Sequence, residues 1–249
     1  MPPAVLITGA ARRIGEVLAR AFGQAGWHVV IHVGHSPDAA HSLAAQLASA
    51  EVLQCDLLDG DAALAMIDQL AGRLQDWRML INCAAVFNLD TAAAIDPAVF
   101  AEAMTVNAAT PTRMAQAFLA KAQARGGRRV IQFLDQKLLN PNPDFFSYTM
   151  AKHAFAAGVT MLAMAQESAE DRVYGLAPGA MLPSFDQAEQ EHQASGRMNL
   201  LARLTDPGEL ADAALFLSEG WLASGETVFV DSGQHLLSQP RDVLFLARQ

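Results

Sequence analysis

Tyr148 and Lys152 stand four residues apart in the stretch Ser147-Tyr148-Thr149-Met150-Ala151-Lys152. On a helix this spacing puts both side chains on one face, a turn from each other. A phenol with its ordinary pKa of about 10 exchanges protons poorly at neutral pH, and an adjacent ammonium stabilises the phenolate and lowers that value. The pair therefore predicts a proton relay with Tyr148 at its centre. Asp135 lies thirteen residues earlier, at the end of an apolar run. A carboxyl beside a phenol can pass it a proton, whereas a carboxylate facing a carbonyl oxygen repels the negative charge that develops there. The alternative for Asp135 is a strand-end residue that accepts backbone N–H groups of the following loop.

The second place for chemistry is Thr8 to Gly15, read as TGAARRIG directly after the apolar run Ala4-Val5-Leu6-Ile7. A strand, a glycine turn and then a helix form the usual cradle for a dinucleotide pyrophosphate, which sits on the helix N-terminus. Gly9 and Gly15 supply the tight turn and the close helix–sheet packing. Arg13 occupies the place of the middle glycine. A cation in a first helical turn is disfavoured by the helix dipole, so its presence points to a nearby anion. At the end of the second strand, His32-Val33-Gly34-His35-Ser36 carries no carboxylate before Asp38. An NAD-specific fold tends to place an acid there for the ribose 2′-hydroxyl. Arg12, His35 and Ser36 instead suit a 2′-phosphate, which favours NADP(H); the alternative is a neutral loop that discriminates little.

These groups need a scaffold, and the chain alternates short apolar runs with Ala- and Leu-rich helical segments. Strands are predicted at 4–8, 28–33, 51–55, 78–83, 129–134, 172–176 and 226–230. Ile14, Val17, Leu18, Ala21 and Phe22 follow i, i+3, i+4, i+7, i+8 spacing, which makes the first helix amphipathic, and Gly23 and Gly26 stop it. Alternation of this kind predicts an α/β fold: a single-domain, Rossmann-type doubly wound parallel sheet of about seven strands flanked by helices, over 1–249. Polar, Met-containing 180–205 is the candidate substrate-covering loop.

At 249 residues and a formal charge of −9, the chain is a poor fit to a general nucleic-acid or anionic-membrane binder. No apolar run approaches the roughly 20 residues of a bilayer span. Cys55 and Cys83 are the only cysteines, so a disulfide scaffold is excluded and a cytoplasmic location is expected. The seven histidines do not cluster, and no metal is predicted. His192 is expected to be solvated. Met150, Met161 and Met164 are expected in the core or a subunit contact, and the 240–249 tail is expected to dock on a subunit.

Thr8-Gly9…Gly15, Asp56-Leu57, Asn82-Cys83-Ala84, Asn107, Tyr148…Lys152 and Pro178-Gly179 together resemble the short-chain dehydrogenase/reductase family over nearly the whole chain. The resemblance implies a cofactor site formed by Gly9, Arg12, Arg13, Ile14, His35, Ser36, Asp56, Leu57, Asn82, Ala84, Tyr148, Lys152, Pro178 and Gly179. Within it Asp56 bonds the adenine, Lys152 holds the nicotinamide ribose, and Asn107 holds a relay water near Lys152. Two departures stand out: Asn82-Cys83-Ala84-Ala85 replaces the family's Asn-Asn-Ala-Gly, and Asp135 replaces its usual serine.

Arg13, Asp135, the aromatic Phe87 and the ending Asp231-Ser232-Gly233-Gln234-His235-Leu236 resemble the pteridine reductase and dihydromonapterin reductase branch. That resemblance implies NADPH-dependent reduction of a dihydropterin to its tetrahydro form by a homotetramer built partly through helices around 98–124 and 146–168. Arg13 then reaches cofactor phosphate and pterin together, and Phe87 sandwiches the pterin ring. The catalytic set is Asp135, Tyr148, Lys152 and Asn107, and Arg13, Phe87, Asp135 and Tyr148 bind substrate. Two readings compete: a carbonyl or quinone reductase, which Asp135 disfavours, and a non-catalytic NADP-sensing module, which has no need of the Tyr148–Lys152 pair.

Overall fold

The computed structural model describes residues 2–35, 37–184 and 186–249. Its strands are β1 (Ala4–Ile7), β2 (His28–Val33), β3 (Ala50–Gln54), β4 (Trp77–Asn82), β5 (Arg129–Phe133), β6 (Arg172–Pro178) and β7 (Thr227–Val230). Each lies within two residues of its predicted limits. All pairings are parallel, in the order β3-β2-β1-β4-β5-β6-β7. The order reverses between β1 and β4, and the crevice beyond their carboxyl ends is where such sheets bind ligands.

The helices are α1 (Arg13–Gln24), α2 (Pro37–Ala44), α3 (Gly60–Ala71), α4 (Pro97–Met104), α5 (Thr110–Lys121), α6 (Phe146–Met164), α7 (Glu189–Ser195), α8 (Pro207–Ser218) and α9 (Val243–Leu246). They cover both faces of the sheet, which is why the strands are apolar runs rather than alternating ones. Along β1 the period of two still sorts the side chains. Ala4 and Leu6 join Ile67, Leu70, Phe118 and Phe155 from α3, α5 and α6. Val5 and Ile7 join Leu18, Phe22, Leu43 and Leu210 from α1, α2 and α8.

Three expectations are corrected or narrowed. The 180–205 segment is not wholly irregular, because α7 lies within it. Of the two places expected for Met150, Met161 and Met164, the core is excluded and a subunit contact is left: they belong to α6, with Met161 63% and Met164 81% exposed. The tail packs on its own chain: Asp144 Oδ2 accepts from Arg241 Nε at 2.6 Å and from the Asp242 N–H at 2.9 Å. Leu244 then packs with Phe145 and Tyr148. No described helix is long and apolar enough to cross a membrane.

Candidate active site

The turn after β1 is built for close approach. Gly9 has φ +67°, and a Cβ there would lie 3.0 Å from Ala84 Cα; a Cβ on Gly15 would run into the Gly9 carbonyl. Arg13 also has positive φ, +55°. It adopts the left-handed conformation that a glycine takes freely and that a side chain strains. Asp59, Asp96 and Asp206 cap α3, α4 and α8 with side-chain oxygens, but Arg12 gives α1 no such cap. The first N–H groups of α1 are therefore left for an anion, which the helix dipole also favours. The Arg13 guanidinium donates to the Pro183 carbonyl at 2.8 Å and so bridges this turn to the covering segment.

His32 secures the turn from beneath. Its Nδ1 accepts from the Gly9 N–H at 3.2 Å and its Nε2 donates to the Cys55 carbonyl at 2.9 Å. Burial brings its pKa down to about 4, so the ring is neutral and both bonds fit one tautomer. Thr8 Oγ1 accepts from the N–H groups of Cys83 and Ala84 at 2.9 and 3.0 Å, which joins the ends of β1 and β4.

On the other side of the crevice the Tyr148 hydroxyl donates to Asp135 Oδ2 at 2.7 Å. Asp135 Oδ1 accepts from the Lys137 N–H at 2.9 Å, so the carboxylate makes the backbone contact of a strand-end residue while its other oxygen meets the phenol. Lys152 Nζ donates to the Phe133 carbonyl at 2.6 Å. Burial brings the Lys152 ammonium down to about 8 and raises the Asp135 carboxyl above its ordinary value. Burial, followed by the Asp135 carboxylate, holds the Tyr148 phenol well above 10. Burial thus outweighs the lowering expected from the Lys152 ammonium, and the phenol is protonated at neutral pH. Burial also pushes the Cys83 thiol up to about 12.

Phe87 stacks on Phe145 with centroids 3.9 Å apart and planes 17° from parallel, and meets Tyr148 edge-on at 4.6 Å. It stays 40% exposed, which leaves ring surface open to a ligand. A cavity of about 500 Å³ joins these parts. Gly9, Arg12, Arg13, Ile14, Ala84, Phe87, Asp135, Tyr148, Lys152, Pro178 and Gly179 line it, all of them expected from sequence.

Other expected residues lie elsewhere. Asn82 turns inward and donates to the Pro111 carbonyl and Gln132 Oε1, at 3.1 and 2.8 Å. Asn107 sits in a π-helical turn, Thr105–Ala109, and clamps the Val86 N–H and carbonyl, each at 2.8 Å. Its side chain thus bonds the Val86 backbone through both ends of the amide. Asp56 is exposed and accepts from the Leu58 N–H at 3.0 Å. His35 is exposed at the end of β2 and Leu57 is buried, neither in the cavity wall. Ser36 lies outside the described residues.

A family profile described as enoyl-(acyl carrier protein) reductase matches residues 9–235. The chain belongs to the short-chain dehydrogenase/reductase family of oxidoreductases. Among relatives in this family, the 7alpha-hydroxysteroid dehydrogenase of Escherichia coli (strain K12) is 26% identical over 251 residues, 92% of each chain. Pteridine reductase 1 of Leishmania tarentolae is 25% identical over 286 residues, covering 94% of this chain and 96% of that protein. Among solved structures, FolM alternative dihydrofolate reductase 1 from Brucella canis, complexed with NADP, superposes with a TM-score of 0.89 at 29% identity over 96% of each chain.

Several site residues of this short-chain dehydrogenase/reductase were not anticipated. His32, which lies beneath the phosphate turn rather than in the cavity lining, gave one signal, a histidine within the apolar run 29–33. Lys137 is buried, and its Nζ meets Asp242 Oδ2 at 2.7 Å and Asn142 Oδ1 at 3.0 Å. Asp242, Val243 and Leu244 bring the tail into the cavity wall. His192, expected in solvent, is 7% exposed and lines the same cavity.

Proposed function

We propose that this protein uses NADPH to reduce a dihydropterin to the tetrahydro form. The observation that carries this reading is the 2.7 Å bond between Tyr148 and Asp135 inside a cavity that also holds Phe87 and Arg13. The relatives named pteridine reductase and alternative dihydrofolate reductase support it, as does the NADP complex of the latter.

The residues present fit the cofactor. The uncapped start of α1 and the Gly9–Gly15 cradle suit a pyrophosphate, and Arg12 and His35 stand ready for a 2′-phosphate. NADPH, when bound, supplies a hydride to the substrate. Reduction of a ring C=N bond also requires a proton on nitrogen. The phenol delivers its proton to the ring nitrogen, and Asp135, whose carboxyl is raised by burial, takes up a proton from water and passes it to the phenolate left behind. Lys152 sets the charge around the phenol from the neighbouring helical turn, and Phe87 offers a stacking face for a flat heterocycle. A carbonyl substrate fits less well, because its developing oxyanion would face the Asp135 carboxylate. The exposed Met150, Met161 and Met164 on α6 support assembly into a homotetramer through that helix.

The test is NADPH oxidation followed against dihydropterins, dihydrofolate, quinones and simple ketones. Turnover confined to ketones or quinones overturns the proposal, and tight NADPH binding with no turnover on any substrate favours a sensor.

A further inference from the structure

We infer that His192 forms a subsite for a neutral, hydrogen-bonding substituent on the substrate ring, and that Arg248 of the tail holds this subsite over the cavity. The inference rests on the dihydropterin reading and adds to it a contact for the part of the substrate outside the ring.

His192 is more than nine-tenths buried and faces the cavity from α7. Its ring makes no hydrogen bond to any described residue. Its ring nitrogens are not sealed away from solvent, so a ligand in the cavity can pair with them. Its polar neighbours are already engaged. Gln187 Oε1 accepts from the Ser184 N–H at 3.2 Å, and its amide donates to Ser195 Oγ at 2.9 Å. Ser195 Oγ in turn donates to the His192 carbonyl at 3.2 Å. Gln187 and Ser195 thus brace the wall, and His192 is the side chain there with bonding capacity to spare.

The wall is held from behind by the chain's end. Arg248 Nε meets Glu191 Oε2 at 3.2 Å, one residue from His192, and Nη2 meets Asp186 Oδ2 at 3.2 Å and the Asp186 carbonyl at 3.0 Å. The tail that carries Arg248 is itself fixed by the Lys137–Asp242 and Arg241–Asp144 pairs. The same residues that line the floor of the cavity therefore position its far wall.

Charge narrows the substituent. Asp186 and Glu191 lie behind the wall, outside the cavity lining, and both are paired with Arg248. Among the described residues, this wall therefore offers the substituent an imidazole and no unpaired charge. A hydroxyl or amide can both give a hydrogen bond to the imidazole and accept one from it.

The experiment measures NADPH oxidation by the full chain with two dihydropterins, one with a hydroxylated side chain on the ring and one with a methyl group there. Wild-type protein inactive on both would sink the dihydropterin reading itself, a separate failure from those below. With wild type active on both, His192→Ala should raise KM about tenfold for the hydroxylated substrate, the equivalent of one lost hydrogen bond. KM for the methyl compound, and kcat for both, should stay near wild type. Arg248→Ala should reproduce a smaller rise with the same selectivity, and Arg248→Lys should recover part of it. If His192→Ala does not fold, as judged by NADPH binding, His192→Gln serves; its single amide should give an intermediate rise for the hydroxylated substrate alone. Equal effects on the two substrates, or none on either, would overturn the inference.

Discussion

The Tyr148 hydroxyl and the Asp135 carboxylate are joined at 2.7 Å, while the carboxylate's other oxygen anchors the Lys137 N–H. Asp135 is therefore both a loop anchor and the partner of the proton donor, and substitution can separate the two. Asn keeps one acceptor oxygen for the Lys137 N–H and turns an amide N–H, a donor, toward the phenol oxygen, so it has no acidic proton to pass. Asp135→Asn should leave NADPH affinity unchanged and lower dihydropterin reduction by about 100-fold or more. Burial raises the Asp135 carboxyl, so the ionised group costs stability at neutral pH and Asn should melt no lower than the parent. Tyr148→Phe should lose a factor of about 10²–10⁴ in turnover with the ring packing intact. Near-parental rates in both variants would place the proton donor elsewhere.

Lys152 makes a prediction about pH. Its ammonium is held at about 8 by burial, against an ordinary value of 10.5. Between those values the unfolded chain binds a proton that the folded chain does not, so this group's contribution to stability rises with pH across that window. Below pH 8 the full penalty is present, on the order of 3 kcal/mol. Lys152→Met removes the charge and leaves the Phe133 carbonyl unpaired at every pH. The melting temperature of Lys152→Met relative to wild type should therefore be higher at pH 7 than at pH 10. A difference that does not change with pH would mean the ammonium is better solvated than its burial implies.

The fold was legible because its strands are buried on both faces and so appear as unbroken apolar runs, as Ala4–Ile7 does. The phosphate turn and the Tyr148–Lys152 pair were legible because each is local. α7 was not, since a seven-residue helix whose one apolar residue is Ala194 gives no apolar period, and His192 on it looked like any solvated histidine. Phe145 and Asp242 were hidden for another reason. Phe145 backs Phe87 and Asp242 joins the cavity wall, and both depend on contacts between segments about a hundred residues apart, Asp144 with Arg241 and Asp242, which spacing alone does not reveal.

Cofactor choice follows from the exposed Arg12 at the start of α1 and the exposed His35 after β2, where no acid precedes Asp38. NADPH should bind at least about tenfold more tightly than NADH, a modest 1.4 kcal/mol for a phosphate meeting charge-assisted bonds. Arg12→Ala should shrink that ratio by weakening NADPH alone. Equal affinities in the parent protein, measured by fluorescence titration at ordinary salt, would remove the assignment.

Arg13 separates strain from function. Its φ of +55° costs an arginine or an alanine about 1–2 kcal/mol but a glycine little. Arg13→Gly should thus hold or raise the melting temperature, whereas Arg13→Ala keeps the strain and loses the bond to the Pro183 carbonyl. Both should lower pterin turnover and weaken NADPH, because the missing guanidinium faces both ligands in the proposed site. A fully active Arg13→Gly protein would reduce Arg13 to a surface residue in an expensive conformation.

Phe87 offers the sharpest test of the substrate class, because two of its contacts pull the prediction in different directions. Its ring stacks on Phe145 and stays partly open to the cavity, so Phe87→Ala should strip a stacking face from a flat substrate. Losing one aromatic–base stack costs about 1–3 kcal/mol, which corresponds to a rise of roughly 5- to 150-fold in KM. The same ring also meets Tyr148 edge-on at 4.6 Å, and its loss would loosen the phenol. That second effect would lower kcat and leave KM alone. Steady-state kinetics of Phe87→Ala on a dihydropterin separates the two. A dominant rise in KM, reversed in Phe87→Tyr, supports stacking, and NADPH affinity should not change. A fall in kcat at constant KM would make Phe87 a prop for Tyr148, and the pterin reading would then lose its aromatic platform.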